Sequence, residues 1–158
     1  MISLVDLIPA CVLIIEKHPL LREALCAAIS DEPDLRVEMK AFNGREALEM
    51  LGVILPDIIL LEMGNPGSDE LETLKIIREA VPQTPILALT SSEVPEQEQA
   101  ARSTGAYAVL TKAATRAELI SKLREIINDS DIHLVKEKNE KYLHRCILPQ
   151  RTTGKPVC

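Results

Sequence analysis

The sequence predicts an α/β fold in which helices cover both faces of a parallel β-sheet. Five short apolar segments alternate with five amphipathic segments along the chain, which is the pattern of such a fold. The first apolar segment, residues 11–15, is nearly unbroken, as expected for a central strand buried on both faces. With 158 residues and 2% aromatic side chains, the chain is the size of one domain and requires an aliphatic core.

The strands are predicted from runs of Val, Ile and Leu, at residues 11–15, 35–41, 57–62, 85–90 and 107–111. The second run alternates apolar and polar residues, which is typical of a half-exposed edge strand. Helices are predicted at residues 19–29, 45–53, 68–80, 95–104 and 115–128. Thr115 and Glu118 have the spacing of a capping box at the start of the fifth helix. The fourth helix is polar with few apolar anchors, so we expect it to be the least firmly packed.

Charge and composition exclude several classes of function. Residues 1–129 hold 12 basic and 21 acidic side chains, whereas residues 130–158 hold six basic and three acidic ones. An acidic body argues against DNA binding, and the scarcity of aromatic residues argues against stacking platforms for bases. The four cysteines show neither CxxC nor metal-ligand spacing. The apolar run at residues 8–15 is too short for a membrane span, so a cytoplasmic location without membrane association is expected.

The predicted organisation is one domain at residues 10–129 followed by a C-terminal extension at residues 130–158. Apolar residues recur at roughly heptad spacing between residues 132 and 147. This repeat indicates either a frayed continuation of the fifth helix or a helix that dimerises or binds a partner. Beyond Pro149 the extension is predicted to be disordered.

Charged and hydroxyl side chains follow four of the predicted strands. In open parallel sheets, ligands bind at the carboxyl ends of the strands. That edge is therefore predicted to gather two carboxylates, two ammonium groups and two hydroxyls, from Glu16, Lys17, Glu62, Thr90, Ser91 and Lys112.

Five segments in this order resemble one known family. They are Val12 to Leu25, containing Glu-Lys-His-Pro; Asn43 to Leu48; Pro56 to Gly67; Ile86 to Ser92; and Gly105 to Lys112. Together they resemble the receiver domains of two-component response regulators, over residues 11–128. The most similar subgroup carries His-Pro after an acidic pair. The resemblance implies a flavodoxin-like, doubly wound sheet of five parallel strands in the order 2-1-3-4-5, with five helices.

The resemblance also implies roles by position within a degenerate phosphorylation pocket. Glu16 and Lys17 stand at the acidic pair, and Glu62 stands at the phosphoacceptor aspartate. Thr90 occupies the switch hydroxyl, and Lys112 occupies the lysine that contacts the phosphoryl group. Glu16, Thr90 and Lys112 have the type of side chain that the family has at these positions, whereas Lys17 and Glu62 do not.

These two departures predict loss of the family's chemistry. Glu16 and Glu62 face Lys17 and Lys112, so the predicted pocket sums to zero charge instead of −2. Such a pocket should bind Mg²⁺ weakly or not at all, and we predict neither a metal site nor a cofactor. Glu62 also places its carboxylate one methylene further out than aspartate would, which misplaces a nucleophile.

A third departure lies on the fifth strand, where Val109 replaces the aromatic switch residue of the family. Coupling between Thr90 and this position is therefore doubtful. Two interpretations of the charged residues stay open, namely a paired network and separate solvated charges. His18 is interpreted as a helix-start residue and not as a metal ligand, because no second histidine lies nearby.

The leading functional hypothesis is a pseudo-receiver, a non-enzymatic protein interaction module that works without phosphorylation. Glu62 would imitate a phosphoryl group, or the same substitutions would fix the inactive state. The alternative is a working phosphorelay regulator that controls transcription or another output through a partner. A phosphatase or flavodoxin is disfavoured, because Glu-Lys-His-Pro at residues 16–19 lacks the phosphate-handling motif that either would need. Expected partners are a histidine kinase, a downstream effector, or a second copy bound through helix 4, strand 5 and helix 5.

Overall fold

The computed structural model describes residues 8–64, 69–91 and 94–129. Its sheet has five strands, all parallel, in the order β2-β1-β3-β4-β5. This confirms the predicted α/β fold and strand order. The strands are β1 Ala10–Ile15, β2 Leu35–Ala41, β3 Ile58–Met63, β4 Ile86–Thr90 and β5 Ala108–Thr111.

Five helices connect or follow the strands: α1 Pro19–Ser30, α2 Gly44–Leu51, α3 Glu70–Ala80, α4 Pro95–Thr104 and α5 Arg116–Ile127. The capping box at α5 is confirmed, since the Thr115 hydroxyl accepts from the Glu118 N–H and the Glu118 carboxylate accepts from the Thr115 N–H. Helix α2 ends two residues earlier than predicted, at Leu51, and Gly52 follows it as its C-cap.

The sheet divides the apolar interior into two cores. Val12, Ile14, Ile58 and Leu60 face one side, where they pack with residues of α1 and α5. The alternate residues of β1 and β3 face the other side, where they pack with residues of α2, α3 and α4. Every residue of β1 and β3 is buried. These two central strands therefore fix the backbone from which the polar edge of the sheet projects.

Helix α4 is the most polar of the five, and Ala101 is its one buried residue among those described. Its C-terminus is instead fixed by Arg78 from α3. The Arg78 guanidinium donates to the carbonyl oxygens of Gly105, Pro82 and Thr84 at 2.7–3.0 Å. Gly105 has a φ of 125°, and a β-carbon there would lie 2.8 Å from the Arg78 side chain. The α4–β5 turn therefore requires glycine for two separate reasons.

Among the described residues, no helix is both long enough and apolar enough to cross a membrane. The predicted extension at residues 130–158 lies outside the described residues. Its heptad pattern and its disordered end therefore stay predictions.

Candidate functional site

The carboxyl edge of the sheet brings the predicted site residues together. Glu16 follows β1, Glu62 lies near the end of β3, Thr90 ends β4, and Lys112 follows β5. Because all strands are parallel, these ends lie at the same edge of the sheet. Register places Met63 beside Thr90, and the Lys112 N–H donates to the Thr90 carbonyl oxygen at 2.8 Å.

Glu16 is buried beneath the start of α1. Its side chain is fully inaccessible to solvent. Its Oε1 accepts hydrogen bonds from the backbone N–H and from the ring Nδ1 of His18, each at 2.8 Å. Its Oε2 is buried and has no hydrogen-bond partner among the described residues. A buried carboxylate oxygen without a hydrogen-bond partner carries a desolvation cost.

His18 begins α1, as predicted, but its side chain has a second role. The residue is the N-cap of α1, with extended backbone, and its ring makes no capping hydrogen bond. The ring lies against Glu16 instead, so His18 belongs to the site. The lack of a second histidine nearby gave no indication of this role, because the partner of the ring is a carboxylate.

Glu62 and Lys112 form an ion pair across β3 and β5. The Lys112 ammonium donates to Glu62 Oε1. Glu62 is only 4% exposed, and the Lys112 side chain is 24% exposed. The pair is therefore shielded from solvent much more than a typical surface ion pair. Thr90 lies beside it and is also buried.

Lys17 turns away from the buried carboxylates and binds α3. Its ammonium donates to Glu70 Oε1 at 2.8 Å. The hydrogen bond and charge of Glu70 raise the pKa of Lys17, and the charges of Glu62 and Glu16 raise it further. Glu70 reaches this position over Gly64, where a β-carbon would lie 2.9 Å from Glu70 Oε1.

Glu70 was not predicted as a site residue. The signal that could have identified it is the acidic first turn of α3, which contains Glu70 and Glu72. Counting Glu70 changes the formal charge of the paired network, because its three carboxylates (Glu16, Glu62, Glu70) and two ammonium groups (Lys17, Lys112) sum to −1 when His18 is neutral. The predicted sum of zero was therefore incomplete. The paired network, and not a set of separate solvated charges, describes both lysines.

An open cleft of about 360 Å³ borders this network. Lys17, Glu62 and Glu70 line one side of it, and the segment that enters α2 lines the other. Phe42 in that segment is half-exposed, with 52% of its surface accessible. Val109, the predicted switch position, lies on β5 and packs against the core shared with α2, α3 and α4.

The sequence predicts that a dimer would pair the charges of α4 (Glu96, Glu98, Arg102) with the basic residues of α5 (Arg116, Lys122, Arg124) of a second copy. All of these except Glu96 have an ion-pair partner within the chain. Arg102 binds Glu98 in α4, and Lys122 binds Glu125 in α5. The other two basic residues of α5 bind the α1–β2 loop, through the pairs Arg116–Asp31, Arg116–Glu32, Arg124–Glu32 and Arg124–Asp34. The electrostatic reason given for a dimer through α4, β5 and α5 is thereby weakened. The dimer itself stays a prediction that sedimentation at low and high salt would check.

Comparison with known proteins agrees with this fold. Residues 12–124 match the family model of the response regulator receiver domain. The chain is 34% identical over 117 residues to the nitrate/nitrite response regulator protein NarL of Escherichia coli strain K12, covering 74% of this chain and 54% of NarL. The chain thus spans about half the length of that curated relative.

An enzyme is also among the relatives. The chain is 38% identical over 110 residues to a protein-glutamate methylesterase/protein-glutamine glutaminase of Syntrophus aciditrophicus, but it covers only 31% of that enzyme. Among solved structures, it resembles the signal receiver domain of NarL from Mycobacterium tuberculosis with a TM-score of 0.69 at 28% identity, covering 77% of this chain and 98% of that one. The chain therefore belongs to the response regulator receiver domain family.

Proposed function

We propose that this receiver domain is a pseudo-receiver, a signal-transduction module that binds protein partners without being phosphorylated. The observation that carries the proposal is the pairing of both departing residues within the chain. Glu62, at the phosphoacceptor position, is bound by Lys112, and Lys17, at an acidic-pair position, is bound to Glu70. Each pair neutralises a group that the family's chemistry would leave available.

The residues present do not fit the Mg²⁺ ion that the family implies. Mg²⁺ requires near-octahedral oxygen ligands at about 2.0–2.1 Å and usually keeps several waters. Here Lys17 supplies no oxygen ligand and is bound to Glu70, and Lys112 already occupies one oxygen of Glu62. Beside Glu62, Glu16 contributes one buried oxygen without a hydrogen-bond partner among the described residues. One such oxygen is not an octahedral site.

Glu62 is also a poor nucleophile for geometric and electrostatic reasons. Its carboxylate is longer than that of aspartate, and attack at a phosphoryl group requires placement within fractions of an ångström. The ammonium of Lys112 stabilises the carboxylate in its resting state. Without a metal to neutralise the transferring oxygens, phosphoryl transfer loses its main electrostatic stabilisation.

The same ion pair gives the domain a fixed signalling state. A phosphoryl group carries a charge of about −1.5 to −2, whereas Glu62 supplies a single charge to Lys112. Glu62 therefore imitates a phosphoryl group only in part, but it is present permanently. We propose that a histidine kinase or a downstream effector reads this one state through protein contacts, with no direct binding to nucleic acid or membrane.

The proposal predicts that acetyl phosphate does not modify Glu62. We expect the intact mass of the protein to stay unchanged after incubation with acetyl phosphate and Mg²⁺. The reason is that the pocket does not fit the metal and Glu62 is a poor nucleophile. The double variant K17D/E62D, which restores both acidic positions, is the matched control and should gain about 80 Da, the mass of a phosphoryl group. A wild-type adduct that maps to Glu62 would favour the alternative, a working phosphorelay regulator.

A further inference from the structure

We infer that the open cleft beside the charged network takes an arginine side chain from a protein partner. Two groups would bind the guanidinium, namely the ring of Phe42, just before α2, and the carboxylate of Asp69, just before α3. Both residues line the cleft. The inference rests on the proposed function, because it names the chemistry of the partner that such an interaction module binds.

Phe42 is exposed although the chain contains few aromatic residues. The sequence has one phenylalanine, two tyrosines and no tryptophan, and Phe42 keeps 52% of its surface accessible. Aromatic residues are enriched in protein interfaces, as is arginine. The face of an aromatic ring attracts a cation within about 6 Å, and a planar guanidinium also stacks on the ring, which an ammonium group cannot do.

The backbone around Phe42 is held in place by a reciprocal cap. The Phe42 N–H donates to Glu46 Oε2 at 2.6 Å, and the Glu46 N–H donates to Asn43 Oδ1 at 2.9 Å. Helix α3 lies close by, since a β-carbon on Gly44 would lie 2.8 Å from the Thr73 side chain. The start of α2 is therefore fixed against α3, so binding of an arginine requires little ordering of this backbone.

Asp69 supplies a carboxylate that the charged network does not use. Lys112 neutralises Glu62, and Lys17 neutralises Glu70. Asp69 is exposed, its side chain makes no capping hydrogen bond to α3, and it has no ion-pair partner among the described residues. A guanidinium binds a carboxylate through two parallel hydrogen bonds, which form a strong, charge-assisted contact. Asp69 is therefore the group in the cleft that favours a cation.

The lining of the cleft favours an arginine within a polypeptide over the free amino acid. Free arginine carries an α-carboxylate as well as a guanidinium. Among the described residues that line the cleft, Lys17 is the one basic residue, and it is bound to Glu70. The carboxylates of Glu62, Asp69 and Glu70 would repel the α-carboxylate of free arginine, whereas an arginine within a polypeptide has none. The acidic body of the chain, with 21 acidic and 12 basic side chains in residues 1–129, also attracts a basic partner.

Fluorine NMR of the full chain labelled with para-fluorophenylalanine tests this cleft selectively. Phe42 is the one phenylalanine of the sequence, so a single resonance reports on this position. We expect N-acetyl-arginine amide to shift the resonance saturably, with a dissociation constant on the order of 1 mM. N-acetyl-lysine amide and free arginine should each bind at least about 3-fold more weakly. N-acetyl-citrulline amide keeps the shape of arginine without its charge and should give no saturable shift.

Two variants of α3 separate a local contact from long-range attraction. Asp69→Asn should weaken binding of N-acetyl-arginine amide about 5-fold, because it removes the charge but keeps a side chain that suits the start of a helix. Glu72→Gln is the matched control, since Glu72 lies in the same first turn of α3 and does not line the cleft. It removes the same charge and should leave the affinity within about 2-fold of the wild type. Phe42→Leu, followed through the amide resonances of Asn43 and Gly44, should weaken binding about 3-fold.

Four results would overturn the inference. They are no saturable shift with N-acetyl-arginine amide, equal binding of N-acetyl-citrulline amide, equal binding of free arginine, and equal weakening by Asp69→Asn and Glu72→Gln. These titrations contain no phosphoryl donor, so such a failure leaves the proposal that Glu62 is not phosphorylated standing. A phosphoryl adduct at Glu62 would contradict the proposed function separately, in an experiment that contains no arginine ligand.

Discussion

Lys17→Asp is expected to convert a pocket without measurable Mg²⁺ affinity into one that binds the ion. The substitution removes the ammonium that binds Glu70 and adds a third carboxylate beside Glu16 and Glu62. The formal charge changes from −1 to −3, and one more oxygen ligand becomes available. We expect no saturable signal for the wild type, and a dissociation constant on the order of 1 mM for the variant, near the weak end of oxygen-ligand sites.

Lys122→Asp is the matched control for this titration. It makes the same change of charge on α5, where Lys122 pairs with Glu125 outside the pocket. Long-range attraction alone would raise Mg²⁺ binding in both variants, whereas a local ligand effect appears only at residue 17. Equal Mg²⁺ affinity of the wild type and Lys17→Asp would show that this position contributes no ligand to the pocket.

Arg78→Ala is expected to destabilise the domain by about 2–3 kcal/mol. The guanidinium donates to three backbone carbonyl oxygens in two turns, those of Pro82 and Thr84 after α3 and that of Gly105 after α4. Burial lowers the pKa of Arg78, but the group stays charged. Alanine would leave these half-buried carbonyl groups without their donor and would open space beside Gly105. Urea unfolding should show a lower midpoint with an unchanged slope.

Two further variants distinguish the effect of the multiple hydrogen bonds of the Arg78 guanidinium from the effect of its charge. Arg78→Lys keeps the charge but cannot reach several carbonyl groups at once, so it should lose most of the same stability. Arg102→Ala removes an exposed arginine that pairs with Glu98 four residues earlier, and it should cost no more than about 0.5 kcal/mol. If Arg78→Ala lowered the free energy of unfolding as little as Arg102→Ala, the stabilising role of the Arg78 hydrogen bonds would be contradicted.

Local sequence patterns were sufficient to predict the fold. The unbroken apolar runs of β1 and β3 require burial on both faces, and both strands are fully buried. The Thr115–Glu118 spacing placed the start of α5 at the correct residue. Only the ends of elements shifted, as at α2, where the helical pattern alone did not mark Leu51 as the last residue.

Sequence reasoning found which residues reach the edge of the sheet, but not which ones pair there. The strand ends dictated the positions of Glu16, Glu62 and Lys112, because parallel strands share one edge. Pairing depends on side-chain direction across loops, which sequence spacing does not encode. Lys17 therefore found a partner 53 residues away on α3, at Glu70. For the same reason the sequence did not reveal that the two arginines of α5 bind the α1–β2 loop.

The proposed function depends on the ion pair between Glu62 and Lys112. A double-mutant cycle measures the interaction free energy of this pair. Glu62→Gln, Lys112→Met and the combined variant would be compared with the wild type by urea unfolding. Because Glu62 is 4% exposed and the Lys112 side chain 24% exposed, we predict a coupling free energy of about 1–3 kcal/mol, the upper part of the range for residues in contact. Single losses that add to within about 0.3 kcal/mol in the combined variant would contradict the pair and the account built on it.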